Sequence, residues 1–171
     1  MDQLPHPDQY HYNAAAGWLM LGDPDSALEE VQRLGAISRH CPCVLELEWG
    51  IHAERGDWTR AATVATELIE RAPEREFGWV HRAYALRRVP GGGLERAWEV
   101  LRPALDRFPQ SQIVAYNLAC YAAQLGRLDE AWSFFQRALA VSKEVREVVC
   151  MALADADLKP LWPRIRAVEK P

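Results

Sequence analysis

The chain alternates short amphipathic runs with abrupt polar stops. Between positions 116 and 138, apolar residues recur at Leu118, Ala119, Ala122 and Leu125, which is helical spacing. Gly126 stops that run, Asp129 opens a second, and Ala131, Phe135 and Ala138 continue it. Two amphipathic helices joined by a tight glycine turn predict an αα-hairpin. The same pattern occurs upstream. A helix is expected over 11–21, stopped at Gly22-Asp23-Pro24, where Asp23 caps the next helix and Pro24 takes its first position. That helix carries Ala27, Val31 and Leu34, and 35–41 reads as an irregular connection. Pro42 opens a helix over 43–55 that Gly56 closes, and Asp57 caps its partner over 58–71. A third hairpin starts near Glu76, turns at 89–93, and continues through Ala97, Leu101 and Ala104 to Pro109.

The small residues of the second helices keep register. Ala27 and Ala61 lie 34 residues apart, as do Ala97 and Ala131, and the middle step of 36 absorbs the Pro90-Gly91-Gly92-Gly93 turn. A period near 34 with A-x3-F in the second helix resembles the tetratricopeptide repeat. The resemblance covers about residues 8–145, with Ala15, Ala83 and Ala119 also at small-residue positions. A Cβ-sized side chain there lets helix axes approach to about 8–10 Å. The fold this implies is all-α: a right-handed α-solenoid of about four helix-turn-helix repeats in a single domain. The repeats fall at 8–41, 42–75, 76–111 and 112–145. The second departs from the family pattern, with Glu48 and Trp49 where a leucine and a small residue belong and Gly50 one place late. Residues 146–168 are expected to cap the last hairpin, because a terminal repeat exposes an apolar face that needs cover. The segment D-x-D-L-x-P-L-W at 155–162 resembles the closing segment of bacterial proteins of this family.

Composition narrows the function classes. A formal charge of −4 argues against a phosphate-binding surface, so no nucleic-acid partner is expected. The start of the chain lacks the basic-then-apolar pattern of a secretory signal, and the longest uncharged apolar stretch, 14–21, is far short of a membrane span. A cytoplasmic protein with free thiols is expected, with Cys120 and Cys150 reading as small buried hydrophobes.

Candidate chemistry is sparse. His40-Cys41-Pro42-Cys43 with His52 is the one plausible metal group, but its C-x-C spacing and lack of a second pair do not make a zinc set. The glycine turn is followed by Leu94 and Glu95 instead of the Lys-Ser/Thr that a phosphate loop requires. No nucleophile elbow occurs, so neither an enzyme nor a cofactor or metal site is expected. Among the seven tryptophans, Trp79, Trp98 and Trp132 hold repeat positions that suit core packing.

In the family this chain resembles, the first helix of each hairpin lines a concave groove. By repeat position the resemblance implies a peptide-binding groove of Tyr12, Asn13, Glu46, Phe77, His81, Tyr84, Arg87, Arg88, Tyr116, Asn117 and Gln124. Tyrosines supply contact area and amides pair with peptide backbone, so an extended segment of a protein partner is the expected ligand. Alternatively Tyr12, Tyr84 and Tyr116 pack helix on helix, and the arginines and glutamates pair with one another. Asn13 and Asn117 fit the amide positions of the family's carboxylate clamp, but its lysines are missing. A non-enzymatic peptide-binding scaffold, monomeric or homodimeric, is the leading expectation. A self-associating assembly adaptor and a secretion-type chaperone are the alternatives.

Overall fold

The structure, a computed structural model, describes residues 4–168, among which there is helix and no strand. The chain forms two compact units, Met1–Pro90 and Gly91–Pro171. The boundary falls inside the proline-glycine turn of the third repeat.

The first unit holds α1 (Asp8–Met20), α2 (Pro24–Gln32), α3 (Pro42–Glu54), α4 (Trp58–Arg71) and α5 (Glu76–Leu86). Its turns form as the sequence predicts. Gly22 and Gly56 take φ of +77° and +68°, a region that favours glycine, and each is followed by a capping aspartate. Asp23 accepts from the Ser26 amide at 3.0 Å, and Asp57 accepts from the Arg60 amide at 3.1 Å. The α1–α2–α3 core gathers Ala15, Ala27, Val31, Leu34, Val44 and Ile51. A second core between α3, α4 and α5 gathers Leu45, Trp49, Ala61, Ala65, Leu68 and Ala85. Ala15, Ala27 and Ala61 are fully buried, as residues at helix crossings must be. The connection over 35–41 contains a short 3-10 turn at Ser38–His40. It is tied to α1 by Asp8, which is itself buried and accepts from the Gly35 amide at 3.0 Å. Hydrogen bonds from the Ser38 hydroxyl and the Gly35 amide hold the Asp8 carboxyl below its ordinary pKa.

The second unit holds α6 (Leu94–Leu101), α7 (Ala104–Arg107), α8 (Gln112–Gln124), α9 (Leu128–Val141), α10 (Val145–Ala154) and α11 (Trp162–Val168). The expected single helix through Ala97, Leu101 and Ala104 is broken into α6 and α7 at Arg102-Pro103. Pro103 has no amide hydrogen and its ring collides with the carbonyl four residues back, so the helix stops and restarts. Ser111 caps α8 through the Val114 amide at 3.1 Å, and Gly126 at φ +75° makes the turn into α9. Ala97, Ala119, Ala131 and Ala138 are fully buried along the helix contacts of this unit.

The closing segment folds back as α10, a 3-10 turn over Ala156–Leu161, and α11. Val148, Val149, Ala152, Leu158, Leu161 and Ile165 are buried by it, and the Trp162 indole donates to the Ala152 carbonyl at 3.0 Å. Two side chains of this segment lie outside its core, one of them Cys150, which the sequence predicts to be buried. Val145, at the start of α10, and Cys150 are both exposed.

Candidate functional site

The residues expected to line a groove divide between the two units. In the first, α1 supplies Tyr12 and Asn13, α3 supplies Glu46, and α5 supplies Phe77, His81 and Tyr84. Arg87 and Arg88 follow in the turn after α5.

The α5 side chains form an aromatic sheet over a buried tryptophan. Phe77 and His81, one helical turn apart, stack at 3.6 Å with planes 12° from parallel. Trp49 reaches across from α3 and meets His81 edge-on at 4.3 Å, Phe77 at 5.9 Å and Tyr84 at 6.0 Å. Trp49 is only 8 % exposed, whereas Phe77 and His81 are half-buried and Tyr84 is exposed. Trp49 is the residue that breaks the repeat pattern. Displacing the small position to Gly50 brings α3 against Leu19 of α1, 3.3 Å from where a Cβ would sit, and leaves the indole free to fill the space before α5.

Polar groups around this sheet have defined roles. His81 Nδ1 lies 2.9 Å from the Phe77 carbonyl, which can only accept, so Nδ1 carries the proton and Nε2 is left as an acceptor. Burial lowers the His81 pKa, against the opposing pull of the Phe77 carbonyl and Glu46, so the ring is neutral near pH 7. Glu46 is paired with Arg75 at 3.0 Å, a partner the sequence did not reveal. Burial, with the nearby Cys43 and Glu46, raises the Tyr12 pKa and keeps its hydroxyl protonated. Asn13 is exposed and its Oδ1 accepts from Gln9 at 2.9 Å. The Arg88 guanidinium lies on the Tyr84 ring, 3.5 Å from its centroid and 5.1 Å from that of Trp58. Trp58, to which the sequence assigned no role, therefore forms the outer half of a shelf for Arg88.

The second unit uses the equivalent residues differently. Tyr116 is buried, and its hydroxyl donates to Asp155 of the closing segment at 3.1 Å. Cys120 lies 3.5 Å from the same carboxylate oxygen, and Gln124 donates to the Asp157 carbonyl at 3.0 Å. Burial first, and then these neighbouring negative groups, push the Tyr116 pKa strongly up. Asn117 donates to the Ile113 carbonyl of its own helix at 2.9 Å. Tyr116 and Gln124 thus face the chain's own closing segment.

The His40–Cys43 group does not gather into a ligand set. His40 pairs with Glu67 at 2.6 Å, His52 lies between Glu48 and Asp57, and no metal-holding cluster occurs among the described residues. No described helix is long and apolar enough to cross a membrane.

No protein-family model and no curated protein matches the sequence. Solved structures do match in three dimensions. One is the 41-to-end portion of MamA from Desulfovibrio magneticus RS-1, at 18 % identity over 98 % of both chains with a TM-score of 0.69. Another is TTC0263, a thermophilic TPR protein of Thermus thermophilus, at 20 % identity over 94 % of this chain and 95 % of that one, TM-score 0.66. MamA of AMB-1 is also similar, at 15 % identity and a TM-score of 0.62 over 95 % of this chain and 92 % of that one. The fold of this chain is that of the tetratricopeptide-repeat proteins.

Proposed function

We propose that the protein is a non-enzymatic scaffold that holds a segment of a partner protein on the face formed by α1, α3 and α5. The observation that carries this reading is the sheet of Phe77, His81 and Tyr84. It is rigidly backed by Trp49, yet it keeps half-buried and exposed rings at the surface. Rings already fixed by packing lose little entropy on binding, and aromatic side chains dominate the energetics of protein interfaces. His81 Nε2 as an acceptor, the Tyr12 hydroxyl as a donor and the Asn13 amide offer pairing to the backbone of an extended segment. A Phe77→Ala, Tyr84→Ala double variant should keep its helical content and lose the partners that wild type retains in a pull-down. Retention of the same partners by the folded double variant refutes the reading.

The assembly-adaptor alternative is supported by one feature at the C-terminal end of α1, where Met20 and the following Leu21 are 88 % and 78 % exposed. Sedimentation over a concentration series separates the two readings, because a docking scaffold of this kind needs no second copy.

A further inference from the structure

The proposed docking face ends at an arginine whose surroundings define a ligand. Arg88 is held on three sides: Nη1 donates to the Tyr84 carbonyl at 2.9 Å, and the guanidinium rests on the Tyr84 and Trp58 rings. Those rings are themselves 5.8 Å apart. Stacking uses the faces of a guanidinium and one donor is spent on Tyr84, which leaves in-plane N–H groups of a positioned fork for a ligand. No carboxylate partner of Arg88 occurs among the described residues.

We propose that this fork is the seat for a side-chain carboxylate, Asp or Glu, of the segment docked on the first unit, an assignment that rests on the docking face argued above. A carboxylate is the planar, bidentate match for the guanidinium edge. A terminal carboxylate fits less well, because it is normally captured by free backbone amides. Here the amides of Arg87, Arg88 and Val89 are all spent on the Ala83 and Ala85 carbonyls. A phosphate fits less well too, since the seat lies at the C-terminal end of α5, where the helix dipole disfavours a doubly charged anion. The chain itself seats an acidic segment at the corresponding repeat positions of α8. Tyr84 and Arg88 correspond in repeat position to Cys120 and Gln124, each 36 residues later. Cys120 lies against the Asp155 carboxylate, whereas Gln124 donates to the Asp157 backbone carbonyl, and Leu158, next in the chain, is buried. With a guanidinium where α8 has the Gln124 amide, the Arg88 seat would take an acidic side chain, and the α5 aromatic sheet an apolar one beside it.

The test uses the full chain and pools of short random peptides, acetylated and amidated, with the central residue fixed as Glu or as Gln. Wild type should retain the Glu pool about tenfold better than the Gln pool, the size of one charge-assisted hydrogen-bonded pair. Arg88→Gln should erase that preference while keeping weak retention of both pools. Arg88→Lys, which keeps the charge and loses the stacked fork, should recover only part of it. An arginine serving only to complement the helix end would alter stability and leave the Glu preference intact, so a preference that survives in Arg88→Gln overturns the proposal. Equal retention of the two pools by wild type also overturns it. A Gln pool with a free C-terminus, held through Arg88 as tightly as the Glu pool, would overturn the side-chain assignment. If wild type retains none of the pools, the docking face itself fails, which is a different result from a lost preference.

Discussion

Three glycines inside helices of the first unit allow the packing to be tested with one substitution. Gly17 of α1, Gly50 of α3 and Gly78 of α5 all lie at helical φ, so alanine at each gains about 1 kcal/mol of helix propensity. What differs is the space. A Cβ at Gly17 meets nothing within 4 Å. At Gly50 it meets only the Leu19 Cδ2 at 3.3 Å, the end of a side chain that can turn away. At Gly78 it meets Ile69 Cγ1 at 3.0 Å, the Ile69 amide nitrogen at 3.3 Å and the Ala65 carbonyl at 3.4 Å. Two of those three atoms are α4 backbone, which moves only if the α4–α5 contact opens. Overpacking of this kind costs about 1–3 kcal/mol. Gly17→Ala should therefore stabilise by up to about 1 kcal/mol, Gly50→Ala should be near neutral, and Gly78→Ala should lose about 1 kcal/mol net. The span between the first and last, about 2 kcal/mol, is about 1 M in the urea midpoint at the slopes usual for small proteins. Urea unfolding followed by circular dichroism reads it directly. A Gly78→Ala protein as stable as Gly17→Ala would refute the close approach of α4 and α5.

Two further predictions concern the closing segment and the connection after α2. Asp155→Ala removes the acceptor shared by Tyr116 and Cys120 and the cap of the 3-10 turn, whose Asp157 amide it accepts at 2.9 Å. It should destabilise by about 1–3 kcal/mol, against about 1 kcal/mol for Tyr116→Phe, which deletes one hydroxyl; equal losses in thermal melts would contradict the shared-acceptor geometry. The pKa of Asp8 is depressed in the folded chain, so its contribution is full above the unfolded carboxylate value near 3.9 and fades as pH falls through the lower folded value. Asp8→Asn should thus melt with less pH dependence than wild type between pH 5 and about 3, and identical slopes would show that Asp8 carries no such linkage.

The hairpins were legible because their signals are local. Asp23 and Asp57 after glycine turns, and alanines at 34-residue steps, state the turn chemistry and the crossing points directly. The break at Pro103 was hidden by side-chain periodicity, since Ala97, Leu101 and Ala104 keep helical spacing while the backbone loses an amide. The candidate site was half legible. Repeat register brought Phe77, His81 and Tyr84 to one face, but it ranked Tyr116 and Gln124 with them. Their partners Asp155 and Asp157 lie more than thirty residues away in sequence, a contact that register does not carry. The parts of the site that sequence missed, Trp49 and Trp58, sit where the second repeat departs from its pattern or beside a cap. The departure at 48–50 was the signal, and its meaning depended on how α5 packs.

The central claim is that the α1–α3–α5 face is where a partner segment docks. Amide chemical-shift mapping of the full chain, titrated with a peptide recovered from the Glu pool, tests it most directly. Shifts should concentrate at Tyr12, Glu46, Trp49 and along 77–88, with the Trp49 and Trp58 indole resonances moving together. Shifts confined to the outer faces of α2 and α4, or to the closing segment around Asp155, would contradict it.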